Sequence, residues 1–161
     1  MLEVKNKRFL NYIVLFSLFA LGYAYFVQYI LKHQPCNLCL VERIPYFATV
    51  LLVSLIFIFK KYEKLFMGII ALFFIFGSVV SFYHLGIEQG LFSESLVCDL
   101  SNFKKNLTAS DLLEELKKKT VSCKDVTFSI FGISLATFNA LISAGLSAII
   151  IKKIFNYEQN K

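Results

Sequence analysis

The sequence predicts an all-α membrane protein: a four-transmembrane-helix bundle with a short surface helix in the second outward loop. Three observations predict it. Hydrophobic residues make up 57% of the chain, above the roughly 45–50% of a soluble domain, and mean hydropathy is +0.65. This excess is gathered into four runs, each near the roughly 20 residues that cross a bilayer. Lysine and arginine mostly flank the runs.

The runs cover about residues 9–31, 39–59, 65–83 and 128–151. Inside lipid the backbone must satisfy its own hydrogen bonds, so each is expected to be a helix. The first follows Lys5, Lys7 and Arg8 like a signal peptide. It is too long for that, and no small-residue cleavage site follows, so it is expected to be retained. Pro45 falls in the first turns of the second span, where a missing N–H costs least and a mild kink is expected. Outward loops are expected over about 32–38 and 84–127. In the longer one, Ser110 can cap a helix with acidic residues early (Asp111, Glu114, Glu115) and Lys117, Lys118 and Lys119 late, as the helix dipole prefers. Leu112, Leu113 and Leu116 give it a narrow apolar face that suits a membrane surface.

Basic residues set the orientation. Lys5, Lys7 and Arg8, then Lys60, Lys61 and Lys64, then Lys152, Lys153 and Lys161 must share one side of a four-span protein, and that side reads as cytoplasmic. Both termini are then cytoplasmic. Lys104, Lys105, Lys117, Lys118, Lys119 and Lys124 in the long loop run against this assignment. The net charge of +6 does not indicate nucleic acid, because no basic, aromatic-studded soluble surface is available. The 161 residues allow one membrane domain and no separate catalytic module.

All four cysteines, Cys36, Cys39, Cys98 and Cys123, fall in or beside the two outward loops. Disulfides persist in such an oxidising compartment. Of three pairings, Cys36–Cys39 with Cys98–Cys123 is the simplest, since each stays within one loop. A structural bridge suits the second pair, but closing so short a loop gains Cys36–Cys39 little. Cys-x-x-Cys at a helix start, near an arginine, instead favours reactive thiolate. If a helix begins near Pro35, Cys36, Cys39 and Arg43 fall at i, i+3 and i+7 on one face. The wide spacing of Cys98 and Cys123 argues against paired zinc knuckles, so no metal is expected. Leu40 stands where a c-type haem motif needs histidine.

Arg43 falls about 10 Å along that helix from Cys36, where a charge is expensive unless it snorkels, pairs with Glu42 or has a task. The task is to polarise an oxidant's carbonyl oxygen and hold the Cys39 thiolate. His84 ends the third span on the outward side. It is either an interfacial histidine with its polar edge in water, or a hydrogen-bond donor or proton relay at the same site.

The run Gln34-Pro35-Cys36-Asn37-Leu38-Cys39-Leu40-Val41-Glu42-Arg43 resembles the Pro-Cys-x-Leu-Cys-x-x-x-Arg signature of the DsbB family, bacterial inner-membrane proteins that generate disulfides. Tyr83-His84, the second cysteine pair, and Phe131-Gly132-Ile133-Ser134-Leu135 before the last helix extend the resemblance from about Tyr12 to Ile151. The resemblance implies a quinone-linked thiol oxidase in the bacterial inner membrane with its cysteines facing the periplasm. Cys98–Cys123 would take electrons from a periplasmic DsbA-like dithiol protein, with Cys98 forming the mixed disulfide. Cys36–Cys39 would reoxidise that pair. Cys39, beside Arg43, would pass the electrons to ubiquinone or menaquinone, with Arg43, His84 and Cys39 forming the quinone site.

Two other readings fit less well. Enzymes similar to vitamin K epoxide reductase share a four-helix bundle with Cys-x-x-Cys, but carry that pair near the chain end. A disulfide-stapled, non-enzymatic scaffold would tolerate joint loss of its cysteines.

Overall fold

The computed structural model describes residues 7–93, 123, 129–130 and 133–159. Helix α1 runs Lys7–Tyr29, α2 Asn37–Val41, α3 Ile44–Ile58, α4 Glu63–Glu88 and α5 Leu135–Gln159. A 3-10 turn, Lys60–Tyr62, leads into α4. Before α5, strand β1 (Ser129–Ile130) pairs antiparallel with β2 (Ile133–Ser134). Four helical stretches are long and apolar enough to cross a membrane: Lys7–Tyr29, Asn37–Ile58, Lys60–Glu88 and Leu135–Asn156. The expected four-helix architecture is borne out. The expected surface helix over 110–119 and Cys98 lie outside the described residues.

Three boundaries differ from the sequence expectation, each for a physical reason. The second span is two helices, broken at Glu42–Arg43. Pro45 has no N–H for the carbonyl of Val41, and its ring collides with that carbonyl, so the ladder stops there. Arg43 therefore does not share a helix with Cys36 and Cys39. The third helix extends past His84 to Glu88. It ends where Gly90 takes φ +74, with the amides of Leu91 and Gly90 donating to the carbonyls of Gly86 (2.8 Å) and Ile87 (3.0 Å). Only glycine adopts that φ without strain. The last helix begins at Leu135 rather than near 128, because the Ser134 hydroxyl accepts the Thr137 N–H at 3.3 Å and caps it.

Helix α1 packs on α3, α3 on α4, and α4 most extensively on α5. Lipid offers no hydrophobic drive between helices, so close packing must hold them. Small residues permit it: Gly77 and Ser81 on α4 face an α5 whose Ser143 and Ser147 are buried. The apolar core includes Leu10, Ile56, Ile70, Phe74 and Ile150. Tyr46 stands edge-on to Phe74, centroids 5.6 Å apart, and joins this core to the polar end of the bundle. Leu15, Phe19, Leu51, Leu72, Val79 and Leu141 point outward, as lipid-facing side chains do.

Candidate functional site

Helix α1 ends where Lys32 adopts φ 57 and the His33 amide donates to the Val27 carbonyl at 3.2 Å. The chain turns back through Pro35 to Cys36, whose extended backbone makes it the N-cap of α2. The Cys36 sulfur accepts the Cys39 N–H at 3.3 Å and lies 2.6 Å from the Cys39 sulfur. Both are free thiols. Cys36 is buried and Cys39 half-buried. The Cys36 thiol is pushed down to about 4, chiefly by the hydrogen bond from the Cys39 side chain. Burial opposes this, and the hydrogen bond and charge of His84 reinforce it.

His84 is only 3% exposed, so it is not an interfacial histidine. Its Nε2 lies 3.5 Å from Cys36 Sγ, and its Nδ1 lies 2.8 Å from Glu42 Oε1. The break before Pro45 makes this contact available by placing Glu42 in the turn between α2 and α3. Its other oxygen, Oε2, accepts the Asn139 side-chain amide of α5 at 3.1 Å.

Arg43 turns the other way, toward α1. Its Nη1 donates to Gln28 Oε1 at 2.7 Å, and its guanidinium lies 5.1 Å from the centre of the Tyr25 ring. Such stacking suits a planar, weakly hydrated cation. The partners of Arg43 are thus Gln28 and Tyr25, while Glu42 serves His84.

These groups meet at a cavity of about 310 Å³ between α1 and α5, at the lower end of the size that takes small molecules. Cys36, Cys39, Glu42, Arg43, His84 and Asn139 contribute to its wall, and Phe16, Phe19, Val27, Phe138 and Ile142 make the remainder strongly apolar. Cys123 is buried and disulfide-bonded. It packs in one cluster with Cys36, Leu38 and Ile87. The fold therefore gathers Cys36, Cys39, Arg43 and His84 around one space and places Cys123 behind Cys36.

The two sulfurs and a His84 ring nitrogen lie within 4.8 Å of one another. Two thiolates sharing one tetrahedral zinc would stand about 3.8 Å apart, given Zn–S bonds of roughly 2.3 Å. At 2.6 Å these sulfurs are placed to react with each other.

A dithiol beside a buried histidine, on the wall of an apolar cavity in a four-helix membrane bundle, is the arrangement of a thiol oxidoreductase. The family described as disulfide bond formation protein DsbB matches residues 6–152. The chain belongs to the DsbB family. It is accordingly a multi-pass inner-membrane protein that forms disulfide bonds, a thiol oxidoreductase by class. It is also 26% identical over 163 residues to an uncharacterised protein of Rickettsia prowazekii (strain Madrid E), covering 98% of this chain and 95% of that relative. No solved structure matches.

Sequence reasoning named Cys36, Cys39, Arg43 and His84, which the fold brings to one cavity; it took Glu42 only as a partner for Arg43 and did not name Asn139 or Tyr46. The signal for Glu42 and Asn139 was present: a carboxylate and an amide inside apolar runs are costly unless they face a partner or a function. Which partners they would meet depended on the helix break and on α5 packing against α4.

Proposed function

We propose that this protein, a single membrane domain, reoxidises a periplasmic DsbA-like dithiol protein and delivers the electrons to a membrane quinone. The observation that carries this reading is the cavity: a reactive cysteine pair, a guanidinium and a histidine line one mostly apolar space between two lipid-facing helices. A planar, lipid-soluble dicarbonyl fits such walls. Arg43 would hold a carbonyl oxygen and His84 would line the site, with Cys39, the more exposed of the two sulfurs, beside it. Bound there, a quinone supplies the sink for the two electrons and two protons released when Cys36 and Cys39 join.

The chain's own groups do the remainder. Cys98–Cys123 exchanges with the incoming dithiol, and Cys98 forms the mixed disulfide. Exchange proceeds by thiolate attack on a sulfur, and Cys123 packed behind Cys36 shortens the path between the pairs. The apolar wall excludes water, and Gln28 and Tyr25 fix the fork of Arg43. The cysteines face the periplasm and both termini face the cytoplasm.

The test is quinone absorbance in detergent after addition of a reduced thioredoxin-like periplasmic protein, comparing the native chain with Cys39→Ser. Reduction of ubiquinone or menaquinone by the native chain, lost in the variant, is expected. No reduction with either quinone would overturn the quinone link.

A further inference from the structure

A continuous line of hydrogen bonds leads away from Cys36 through three helices. It passes from Cys36 Sγ to His84 Nε2 (3.5 Å), from His84 Nδ1 to Glu42 Oε1 (2.8 Å), and from Glu42 Oε2 to Asn139 Nδ2 (3.1 Å). Asn139 is pinned from every side. Its amide nitrogen also donates to Ser81 Oγ at 2.7 Å, and its Oδ1 accepts the Tyr46 hydroxyl at 2.5 Å and the Ser143 hydroxyl at 3.5 Å. Flipping the Asn139 amide would therefore break several bonds at once. Each Glu42 oxygen faces one donor, which fixes the plane of the carboxylate. A carboxylate only accepts, so Nδ1 of His84 carries a hydrogen, and Nε2 is the nitrogen that faces Cys36, as acceptor from its thiol or, once protonated, as donor to its thiolate.

We propose that Cys36, His84 and Glu42 form a nucleophile–base–orienter relay, and that Asn139 of α5 is the positioning residue that holds it. The proposal rests on the function proposed above and names how its first thiol is activated. Joining Cys36 to Cys39 removes two electrons and two protons, and the electrons go to the quinone of that reading. The relay handles the Cys36 proton. The S–H bond breaks, the proton moves to Nε2 of His84, and the electron pair stays on sulfur for the bond to Cys39. Glu42 stabilises the imidazolium through Nδ1–H, as a carboxylate does for a base that must take a proton. Glu88, one turn beyond His84, has Oε1 3.7 Å from the same Nε2. It lines the cavity, and so gives the proton a path to the quinone of that reading, which takes the Cys39 proton as well.

The charged and titratable groups at His84 are Glu42 from the α2–α3 turn, Glu88 from α4, and Cys36 and Cys39 from the start of α2. Arg43 lines the same cavity, and α5 contributes the neutral Asn139. The predicted pH response therefore belongs to this set.

The experiment uses the reduced full-length chain in detergent with Cys39→Ser, so that Cys36 is the one thiol of its pair. Its alkylation rate is followed against pH by mass spectrometry. Glu42→Gln should raise the midpoint by about one pH unit or more, and Asn139→Leu should raise it in the same direction by less. Ser78→Ala removes a hydroxyl bonded to the Ala140 carbonyl across the same helix pair and should leave the midpoint unmoved. An unchanged midpoint in both Glu42→Gln and Asn139→Leu overturns the relay. If Glu42→Gln does not fold, Asn139→Leu decides alone. The readout contains no quinone. A shifted midpoint in a chain that reduces no quinone supports the relay and rejects the acceptor. An unmoved midpoint in a chain that does reduce quinone rejects the relay alone.

Discussion

At the scale of single residues, the chemistry depends on which sulfur holds a charge. Cys36 is the better placed: its sulfur faces the Cys39 side chain and His84, and it also accepts the Cys39 N–H. These contacts push its thiol from the ordinary 9.0 down to about 4. A depressed acid is one whose charged form the fold favours. Its contribution to the stability of the reduced protein is thus complete above pH 9, and is lost as pH falls through about 4. The alkylation rate at Cys36 of the reduced native chain should stay nearly level from about pH 8 to about pH 5 and fall only near pH 4. An ordinary thiol would lose about tenfold per pH unit over that range, and that slope would sink the assignment. The pair and Arg43 were readable from spacing alone, because Cys-x-x-Cys and a charge in an apolar run each announce chemistry. The Glu42–His84–Asn139 contacts were not. They join residues 42 and 97 positions apart, and no local pattern encodes such pairings.

Helices and turns carry the same lesson one level up. The four spans were legible because a bilayer demands length and hydrophobicity, and both are visible in composition. Their ends were not, because ends depend on caps and breaks: Ser134 starts α5 late, Gly90 stops α4 late, and Pro45 cuts the second span in two. That cut is coupled to packing. A Cβ on Gly77 of α4 would stand 2.8 Å from Cγ of Pro45 and 3.5 Å from the Ser143 hydroxyl of α5. Gly77 therefore lets the proline ring seat where α3, α4 and α5 meet. The proline ring cannot rotate away as a long side chain could. Gly77→Ala should cost about 1–3 kcal/mol as an overpacked contact, read as a lower midpoint in detergent unfolding. Adding Pro45→Ala should recover part of the loss, since neighbouring substitutions couple. Additive losses in the double variant would show that the close approach does not hold the bundle.

Across the whole molecule, charge and redox chemistry divide between the two ends. Exposed Lys7 and Arg8 open α1, Lys60, Lys61 and Lys64 join α3 to α4, and Lys152 and Lys153 lie near the end of α5. Four antiparallel crossings bring these segments to one face of the membrane, and basic segments favour the cytoplasm. The opposite end holds Cys36, Cys39, His84 and Cys123, and in the proposed orientation it faces an oxidising compartment, where disulfides persist. A cytoplasmic site would instead meet the reducing thiol pool, and the pair could not supply disulfides outward. The two ends should therefore react differently with a membrane-impermeant maleimide. In a chain whose native cysteines are all serine, exposed Gln89→Cys should be labelled in intact spheroplasts, and exposed Lys61→Cys only after permeabilisation. The reverse pattern would invert the protein. It would then give decisive weight to the lysines at 104, 105, 117–119 and 124, which oppose the assignment made from the helix flanks.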